Sequence, residues 1–309
     1  MATSKTFPYA YINGKMVPQE KALVPIQCKA IQYGLGVFTG IRGNWNSKTK
    51  QLYLFRMKDH FERLKEAAKI TGMKFKYSYA QFEKIIIDLI KKNNAKEDIY
   101  MRPTLYAAST KLTPRFDNDD DDLAVYMISL KDYFDTEKGL DVCISSWRRF
   151  DDDSMSTKAK ITGSYANSAL AKTEAVLNGY DEAIFLNRDG KVCEASGANI
   201  FGIKDNVVYT PPLSANNLYG ITRRSLMDLM ENEMNLKVKE ENMDRSTLYV
   251  FDELFFTGTA AKVAAIRSVD KRVIGDGRLG KVTKKLNELF YNVCIGENKK
   301  YLNWLHPVW

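Results

Sequence analysis

GYDEAIFLNRDGKVCEASGANIF, residues 179–201, carries three short apolar segments separated by turn residues. Residues 182–187 form one such segment, and Asp189-Gly190 follows it as a turn signal. Residues 191–194 and 199–203 repeat the pattern, with the small run Ala195-Ser196-Gly197-Ala198 between them. Asp205-Asn206 then leads into a further strand at 206–210. Strands this short, joined by tight turns, pair mostly with their sequence neighbours. The expectation is an α+β fold with antiparallel strands, not one long βαβ series.

The segments on either side fit that frame. Upstream lie a strand at 140–147, a polar loop at 148–163, and a helix from Ser164 to Leu177 that stops at Asn178-Gly179. Downstream, Gly220 precedes a helix at 221–234, and a strand at 251–257 runs into Gly258-Thr259-Ala260. An amphipathic helix is expected over 280–294. The first half opens on Tyr9-Ala10-Tyr11-Ile12, Asn13-Gly14 and Lys15-Met16-Val17, a strong hairpin signal. Leu52–Phe55 is a strand candidate. Helical spacing follows at 57–71, through Phe61, Leu64, Ala68 and Ile70, and at 81–94, through Phe82, Ile85, Ile86, Leu89 and Ile90. Residues 98–108 and 123–130 read as strands, and the polar stretch 109–122 between them as a surface loop. Asp132–Gly139 is charged and turn-like. The domain expectation is therefore a small N-terminal α/β domain at 1–130, an interdomain loop at 131–139, and a larger domain at 140–309.

Composition narrows the function. A chain of 309 residues with 18 Gly and 8 Pro is neither collagenous nor low-complexity. Apolar runs as short as Ile85-Ile86-Ile87 predict no membrane span, and Met1–Thr6 lacks the apolar core of a secretory signal, so a cytoplasmic setting is the default expectation. Cys28, Cys143, Cys193 and Cys294 are far apart, and His60 and His306 are the two histidines. No zinc or other metal centre is expected, and a Ser-His-Asp triad has almost no candidates. Proton chemistry must then come from Lys, Tyr, Asp, Glu or a cofactor. The net charge is +8, but the basic residues are scattered, and Asp119–Asp122 and Asp151–Asp153 would repel phosphate backbones. A solvated lysine-rich surface is the simpler reading, with no nucleic-acid partner.

Four places could carry chemistry. Gly220-Ile221-Thr222-Arg223 would offer a phosphate the open N–H groups of a helix start, or is an ordinary loop-to-helix junction. Gly258-Thr259-Ala260 is a similar small-residue strand exit, and two such places in one domain favour a shared anion. Lys158, Lys160 and Lys172 are each candidates for a Schiff-base amine, and composition does not choose among them. Glu194, beside a run of small residues, suits a planar ring whose nitrogen it could keep protonated, and equally suits a turn-stabilising acid.

In order along the chain, these pieces resemble the branched-chain amino acid aminotransferases of the fold-type IV pyridoxal 5'-phosphate (PLP) family. The resemblance runs from about Tyr9 to Trp304. Its most specific elements are YGLGVFTGIR (33–42), FRMKDHFERL (55–64), YMRP (100–103), KAKITGSYANS (158–168), the stretch at 179–201, LYGITR (218–223), DELFFTGTAA (252–261) and GRLGKVTKKLNELF (277–290). It implies a larger domain with a barrel-like β core. It also singles out Lys160 as the residue that holds PLP and shuttles the proton between substrate and cofactor.

The resemblance assigns the other roles as well. Glu194 would pair with the pyridine nitrogen and Tyr165 with the ring's phenolic oxygen. Arg63, Thr222, Thr259 and the amides of Ile221 and Thr222 would hold the phosphate, with Gly220 and Gly258 at the two small-residue sites. Leu218 would cover one ring face, and Gly197 and Asn199 would line the same segment. Tyr100 and the amides of Thr259 and Ala260 would take the α-carboxylate. Phe38, Tyr33 and Tyr133 would wall the side-chain pocket, and Arg102 would serve the second half-reaction. The implied reaction is ping-pong transfer of an amino group from Leu, Ile or Val to 2-oxoglutarate. The implied partners are amino acids and 2-oxo acids, in a homodimer or larger assembly in which Tyr33 and residues 109–114 reach a neighbouring subunit.

Two positions depart from the family pattern. Thr39 stands where a glutamate usually follows the phenylalanine, and Ala198 where bacterial members often carry another. Loss of both acids would leave Arg42 freer to meet a ligand carboxylate and shift substrate preference. The loop Thr110–Pro114 also lacks the usual glycines. The rivals are a D-amino acid or (R)-amine transaminase or an aminodeoxychorismate lyase of the same fold and, more distantly, a non-catalytic basic binding protein. YMRP argues against the first group, and the intact Lys160, Tyr165, Glu194 and Arg63 against the second.

Overall fold

Asn13 and Gly14 both take positive φ, 53° and 74°, the geometry that matches the twist of a two-residue hairpin. They join β1 (Tyr9–Ile12) to β2 (Lys15–Pro18), with Ile12 opposite Lys15. The structure is a computed structural model that describes residues 5–117, 120–131, 134 and 138–309. The chain divides into two units. One comprises residues 1–131, 159–164 and 292–309, the other residues 132–158 and 165–291.

In the first unit the hairpin is followed by α1 (Lys29–Tyr33), β3 (Gly36–Phe38), β4 (Ile41–Asn46), β5 (Gln51–Phe55), α2 (Met57–Thr71), α3 (Tyr79–Lys92), β6 (Ile99–Ala107) and β7 (Asp121–Ser129). A last strand, β17 (Leu305–Pro307), comes from the far end of the chain. The sheet is antiparallel in the order β17-β5-β4-β6-β7-β1-β2, with β3 also on β6. Helix α2 buries Met57, His60, Phe61, Leu64, Ala67 and Ala68 and ends where Gly72 turns left-handed at φ 73°. Ile70, grouped with the apolar face on spacing, is exposed, because the stripe through 61, 64 and 68 has rotated past it. Helix α3 starts with a reciprocal capping box between Ser78 and Gln81 and packs Phe82 on Phe61 at 5.4 Å. At the start of α2, Arg56 has φ 50°, donates its N–H to Trp304 O at 2.7 Å and stacks its guanidinium 3.9 Å from the Trp304 ring. The C-terminal segment thus fixes the entry of the helix that carries His60 and Arg63.

The second unit holds β8 (Leu140–Arg148), α4 (Tyr165–Leu177), β9 (Glu182–Leu186), β10 (Val192–Ala195), β11 (Asn199–Lys204) and β12 (Val207–Thr210). It continues with α5 (Ile221–Asn232), β13 (Lys237–Glu240), β14 (Glu253–Gly258), β15 (Lys262–Val269), β16 (Arg272–Val273) and α6 (Lys281–Cys294), whose last residues fall in the first unit. The strands form one curled sheet in the order β10-β9-β8-β15-β14-β11-β12-β13, with β16 on β15. The sequence reading expected antiparallel pairing, yet β15–β8, β8–β9 and β12–β13 are parallel. Helix α4 supplies the crossover that a parallel β8–β9 pair requires, and α5 lies in the long connection from β12 to β13. Glu253 receives the amides of Val282 and Thr283 at 3.0 and 2.8 Å and so caps the start of α6.

Three further corrections follow. Residues 159–164 and 292–309 belong with the first unit, not with 140–309. Phe38 N donates to Lys160 O, Thr162 N to Gly36 O and Gly163 N to Gly34 O, while β17 pairs with β5. The loop expected to run to Asp122 ends earlier, since Asp121 and Asp122 open β7 and are used there. Asp121 receives Lys74 N at 2.7 Å and Asp122 receives Asn13 N at 2.8 Å. Strands β3, β4, β13, β15, β16 and β17 and helix α1 have no counterpart in the sequence reading. Asp119 and most of the expected interdomain loop at 131–139 lie outside the described residues. Among the described residues no helix is long and apolar enough to cross a membrane.

Candidate active site

In the second unit the expected residues gather around Glu194. Its strand, β10, turns into β11 through a tight link in which Ala195 N donates to Ala198 O at 2.8 Å. That turn brings Glu194 and Asn199 side by side. Glu194 is 5 % exposed. Its Oε1 pairs with Arg149 Nη2 at 3.0 Å, and its Oε2 accepts from Leu218 N at 3.1 Å and Asn199 Nδ2 at 3.3 Å. Asn199 Nδ2 also donates to Leu218 O at 2.9 Å, which ties Leu218 to the same spot. A carboxylate offers roughly four lone-pair sites. Three are used here, so one more donor, such as a protonated ring nitrogen, fits without displacing a partner.

Gly220 closes one side of this cluster. A Cβ there would come 2.0 Å from Asn199 Oδ1, so only glycine lets the chain pass into α5. Gly220 caps α5 without a side-chain bond, and the first N–H groups of the helix have no intrahelical acceptor. Thr222 is buried on that first turn. At the end of β14, a Cβ on Gly258 would rest 3.5 Å from Gly197 O, whereas one on Gly197 would meet only open space. Thr259 and Ala260 follow, half-buried. Thr257, one residue earlier and opposite Asn199 in register, is fully buried, and its hydroxyl has no partner among the described residues. Tyr165 opens α4 and is half-buried.

In the first unit the expected residues gather around Phe38. Its N–H donates to Lys160 O at 3.0 Å, and the Val37–Ile161 bridge lays residues 159–164 along β3. Lys160 Nζ stands 5.2 Å from the Phe38 ring centre and the Arg102 guanidinium 4.7 Å from it. Arg102 Nη2 donates to Tyr100 Oη at 3.0 Å. Tyr100 in turn needs Gly40, where a Cβ would lie 2.2 Å from the Tyr100 hydroxyl. The three candidate lysines now differ. Lys158 is exposed, Lys172 is paired with Glu182 at 3.1 Å, and Lys160 is half-buried against an aromatic wall. Tyr33 ends α1, half-buried, and Tyr133 lies outside the described residues.

Arg42 is not the freed guanidinium that the sequence suggested. It is buried, donates from Nη2 to the carbonyls of Leu130 (2.8 Å) and Lys131, and stands 3.9 Å from Asp98. Thr39, at the departing position, instead accepts from Arg63 Nη2 at 2.9 Å and lies 2.7 Å from His60 Nδ1.

Three other residues were missed. Arg149 gave no signal beyond its place in WRRF, although a buried carboxylate needs a cation. Thr257 sits one residue before the small-residue exit Gly258-Thr259-Ala260. Tyr126 lies opposite Arg102 in the β6–β7 register. Burial pushes its phenol pKa up, Arg102 pulls it back, and Tyr100 adds to the rise. No group of three or more His, Cys, Asp or Glu is placed to hold a metal among the described residues.

The family model for class IV amino-transferases matches residues 36–269. A probable branched-chain-amino-acid aminotransferase of Aquifex aeolicus is 41 % identical over 309 residues, covering 100 % of this chain and 99 % of the relative. The crystal structure of the branched-chain aminotransferase from the thermophilic archaeon Thermoproteus uzoniensis with norvaline superposes with a TM-score of 0.93 at 37 % identity, over 99 % of this chain and 100 % of that one. The T.th. branched-chain amino acid aminotransferase complexed with N-(5'-phosphopyridoxyl)-L-glutamate gives 0.92 at 34 % identity, over 98 % and 99 %. Coverage that spans both units leaves no segment outside the match, and the chain belongs to the class IV aminotransferases, among the branched-chain amino acid aminotransferases.

Proposed function

We propose that this chain uses PLP to move the amino group of Leu, Ile or Val to 2-oxoglutarate by a ping-pong mechanism. The observation that carries the reading is the Phe38 ring, with the Lys160 amine and the Arg102 guanidinium both within 5.2 Å of its centre. A ping-pong site must take an apolar side chain in one half-reaction and a dicarboxylate in the other. An aromatic wall receives the first. A guanidinium stacked on the edge of that wall, steadied by the Tyr100 hydroxyl, receives the second.

PLP, when bound, supplies an electron sink for the charge that develops at the substrate Cα. Glu194, with one acceptor site in reserve, holds a proton on the ring nitrogen and so deepens that sink. Lys160 Nζ is the attachment point and then carries the proton to and from the substrate Cα. Thr222, Thr259 and the first amides of α5 would bind the phosphate, where the helix dipole favours a dianion, and the resemblance assigns Arg63 to the same group. The open space beside Gly197 would let a flat ring approach backbone, and Leu218 would cover it. Tyr165 donates to the ring's phenolic oxygen. The amides of Thr259 and Ala260, with Tyr100, orient the α-carboxylate. The complex of the T.th. relative with a phosphopyridoxyl-glutamate supports both the cofactor and a dicarboxylate partner.

The test is the visible spectrum of the purified protein before and after L-leucine. A yellow band that bleaches with L-leucine and returns with 2-oxoglutarate, with glutamate formed, is the expected result. Borohydride reduction should then leave the cofactor on the Lys160 peptide. A yellow protein that answers to D-alanine and ignores L-leucine would move the substrate to the D-amino acid rival. A protein that takes up no PLP would end the reading.

A further inference from the structure

The Thr39–His60–Arg63 cluster has a direction written into its chemistry. His60 and Arg63 lie three residues apart on α2 and so share a face. Thr39 follows β3 and is fully buried, and His60 is 1 % exposed. Arg63 Nη2 lies 2.9 Å from Thr39 Oγ1, Thr39 Oγ1 lies 2.7 Å from His60 Nδ1, and Arg63 Nη2 lies 3.5 Å from that same Nδ1. A guanidinium only donates, so the threonine oxygen accepts from it. A hydroxyl has one hydrogen to give, and the short contact aims it at Nδ1. Arg63 Nη2, which can only donate, also faces Nδ1 at 3.5 Å, so we assign Nδ1 as the acceptor and the ring proton to Nε2.

We propose that Thr39 and His60 are positioning residues that aim Arg63, so that the strength of phosphate binding is set partly by two side chains acting through it. The proposal rests on the reading above that Arg63 holds the cofactor phosphate. A guanidinium is a rigid planar fork, so anchoring one nitrogen sets the direction of the others. An unanchored arginine must be ordered when the phosphate arrives, and that ordering weakens binding. Threonine is a neutral anchor. It fixes the fork without cancelling the charge that the dianion needs, as an acidic side chain in the same contact would.

The test compares the Kd of PLP with that of pyridoxal, which lacks the phosphate. Thr39→Val and His60→Leu are expected to weaken PLP about tenfold, the usual effect of losing a hydrogen bond to a charged group, and to leave pyridoxal unchanged. Thr39→Ser and His60→Asn keep a hydroxyl and an acceptor at the Nδ1 position and should restore PLP binding. Arg63→Gln should cut the preference for PLP over pyridoxal more deeply than Thr39→Val or His60→Leu, leaving the share that Thr222, Thr259 and the α5 amides supply. If Arg63→Gln leaves that preference intact, Arg63 does not hold the phosphate and the underlying reading fails. If Arg63→Gln reduces it while Thr39→Val and His60→Leu leave it intact, the positioning role is refuted. A loss shared equally by PLP and pyridoxal would mark a merely structural role and overturn the proposal too. Thr39→Val keeps the shape of the side chain, so should His60→Leu fail to fold, the Thr39 pair decides alone.

Discussion

Gly220 and Asn199 occupy one space that has room for a single side chain, since a Cβ on Gly220 would stand 2.0 Å from Asn199 Oδ1. Asn199 is also the residue that ties Glu194 to Leu218. The glycine therefore does more than open a helix. It leaves room for the side chain that orients the buried carboxylate. Gly220→Ala should push Asn199 away and cost about 1–3 kcal/mol, the usual range for overpacking. Titration should show weaker PLP uptake, and Asn199→Ala/Gly220→Ala should be no worse than Asn199→Ala alone. A Gly220→Ala protein with unaltered melting and PLP affinity would show that the site relaxes freely.

Arg149 and Glu194 form a nearly buried pair, and the two halves of such a pair are not equal in their removal. Deleting the arginine leaves a buried carboxylate with amide donors but no counter-charge. Arg149→Met should lower stability by about 3–5 kcal/mol. It should also reduce activity, because the carboxylate then shifts to find other donors. Arg149→Met/Glu194→Gln should recover much of the stability and none of the activity. Thermal melts and steady-state rates on the three variants check this, and a double variant as unstable as Arg149→Met would contradict the pairing argument.

These two relationships show what can be read from the sequence and what cannot. The hairpin at Asn13-Gly14 and the span of α2 are legible because turn chemistry and helical spacing are local. The pairing of β17 with β5 is not, since its register depends on residues 250 positions apart, as Leu305 opposite Phe55 shows. The parallel β8–β9 pair was missed for a related reason, as strand length and turns say nothing about the direction of a partner brought back by a helix. Glu194 could be singled out by its neighbours, and its cation Arg149 could not. Arg42 misled because its partners are backbone carbonyls of Leu130 and Lys131, which carry no sequence signature. Thr39 reads in the sequence as the loss of an acid, whereas in the structure its hydroxyl accepts from Arg63.

Lys29 and Asp117 make a buried ion pair, 0 % and 2 % exposed, and Arg115 adds a bond to the same carboxylate at 2.7 Å. The hydrogen bond from Lys29, then that from Arg115, lowers the Asp117 pKa to about 2. An unfolded aspartate titrates near 3.9, roughly two units higher. The folded form is the weaker proton binder, so this stabilisation is present above about pH 4 and is lost as pH falls towards about 2. Asp117→Asn should melt below the wild type at neutral pH, with the gap narrowing through that acidic window. A gap that stays constant from pH 5 to pH 2 would show that Asp117 titrates normally.

The same pair holds together the most exposed apolar side chains of the first unit. Lys29 N donates to Ser109 O at 2.9 Å and Lys29 Nζ to Arg115 O at 2.8 Å, so Lys29 ties the start of α1 to both ends of residues 109–115. Leu23, Ile26, Ile31 and Leu112 project from these segments, Leu112 at 89 % exposure. An isolated exposed leucine needs no explanation, but four on two segments joined through Lys29 make a candidate contact surface. The sequence expectation that residues 109–114 reach a neighbouring subunit makes a second copy of this chain the occupant to test here. Ile26→Asp/Leu112→Asp should convert a dimer to a monomer in light scattering, with PLP still bound and turnover lost. Asp117→Asn, which loosens the pinning without touching the apolar side chains, should weaken the dimer by a smaller factor. A wild-type protein that scatters as a monomer at micromolar concentration would sink this assignment, and a double variant that stays dimeric would place the interface elsewhere.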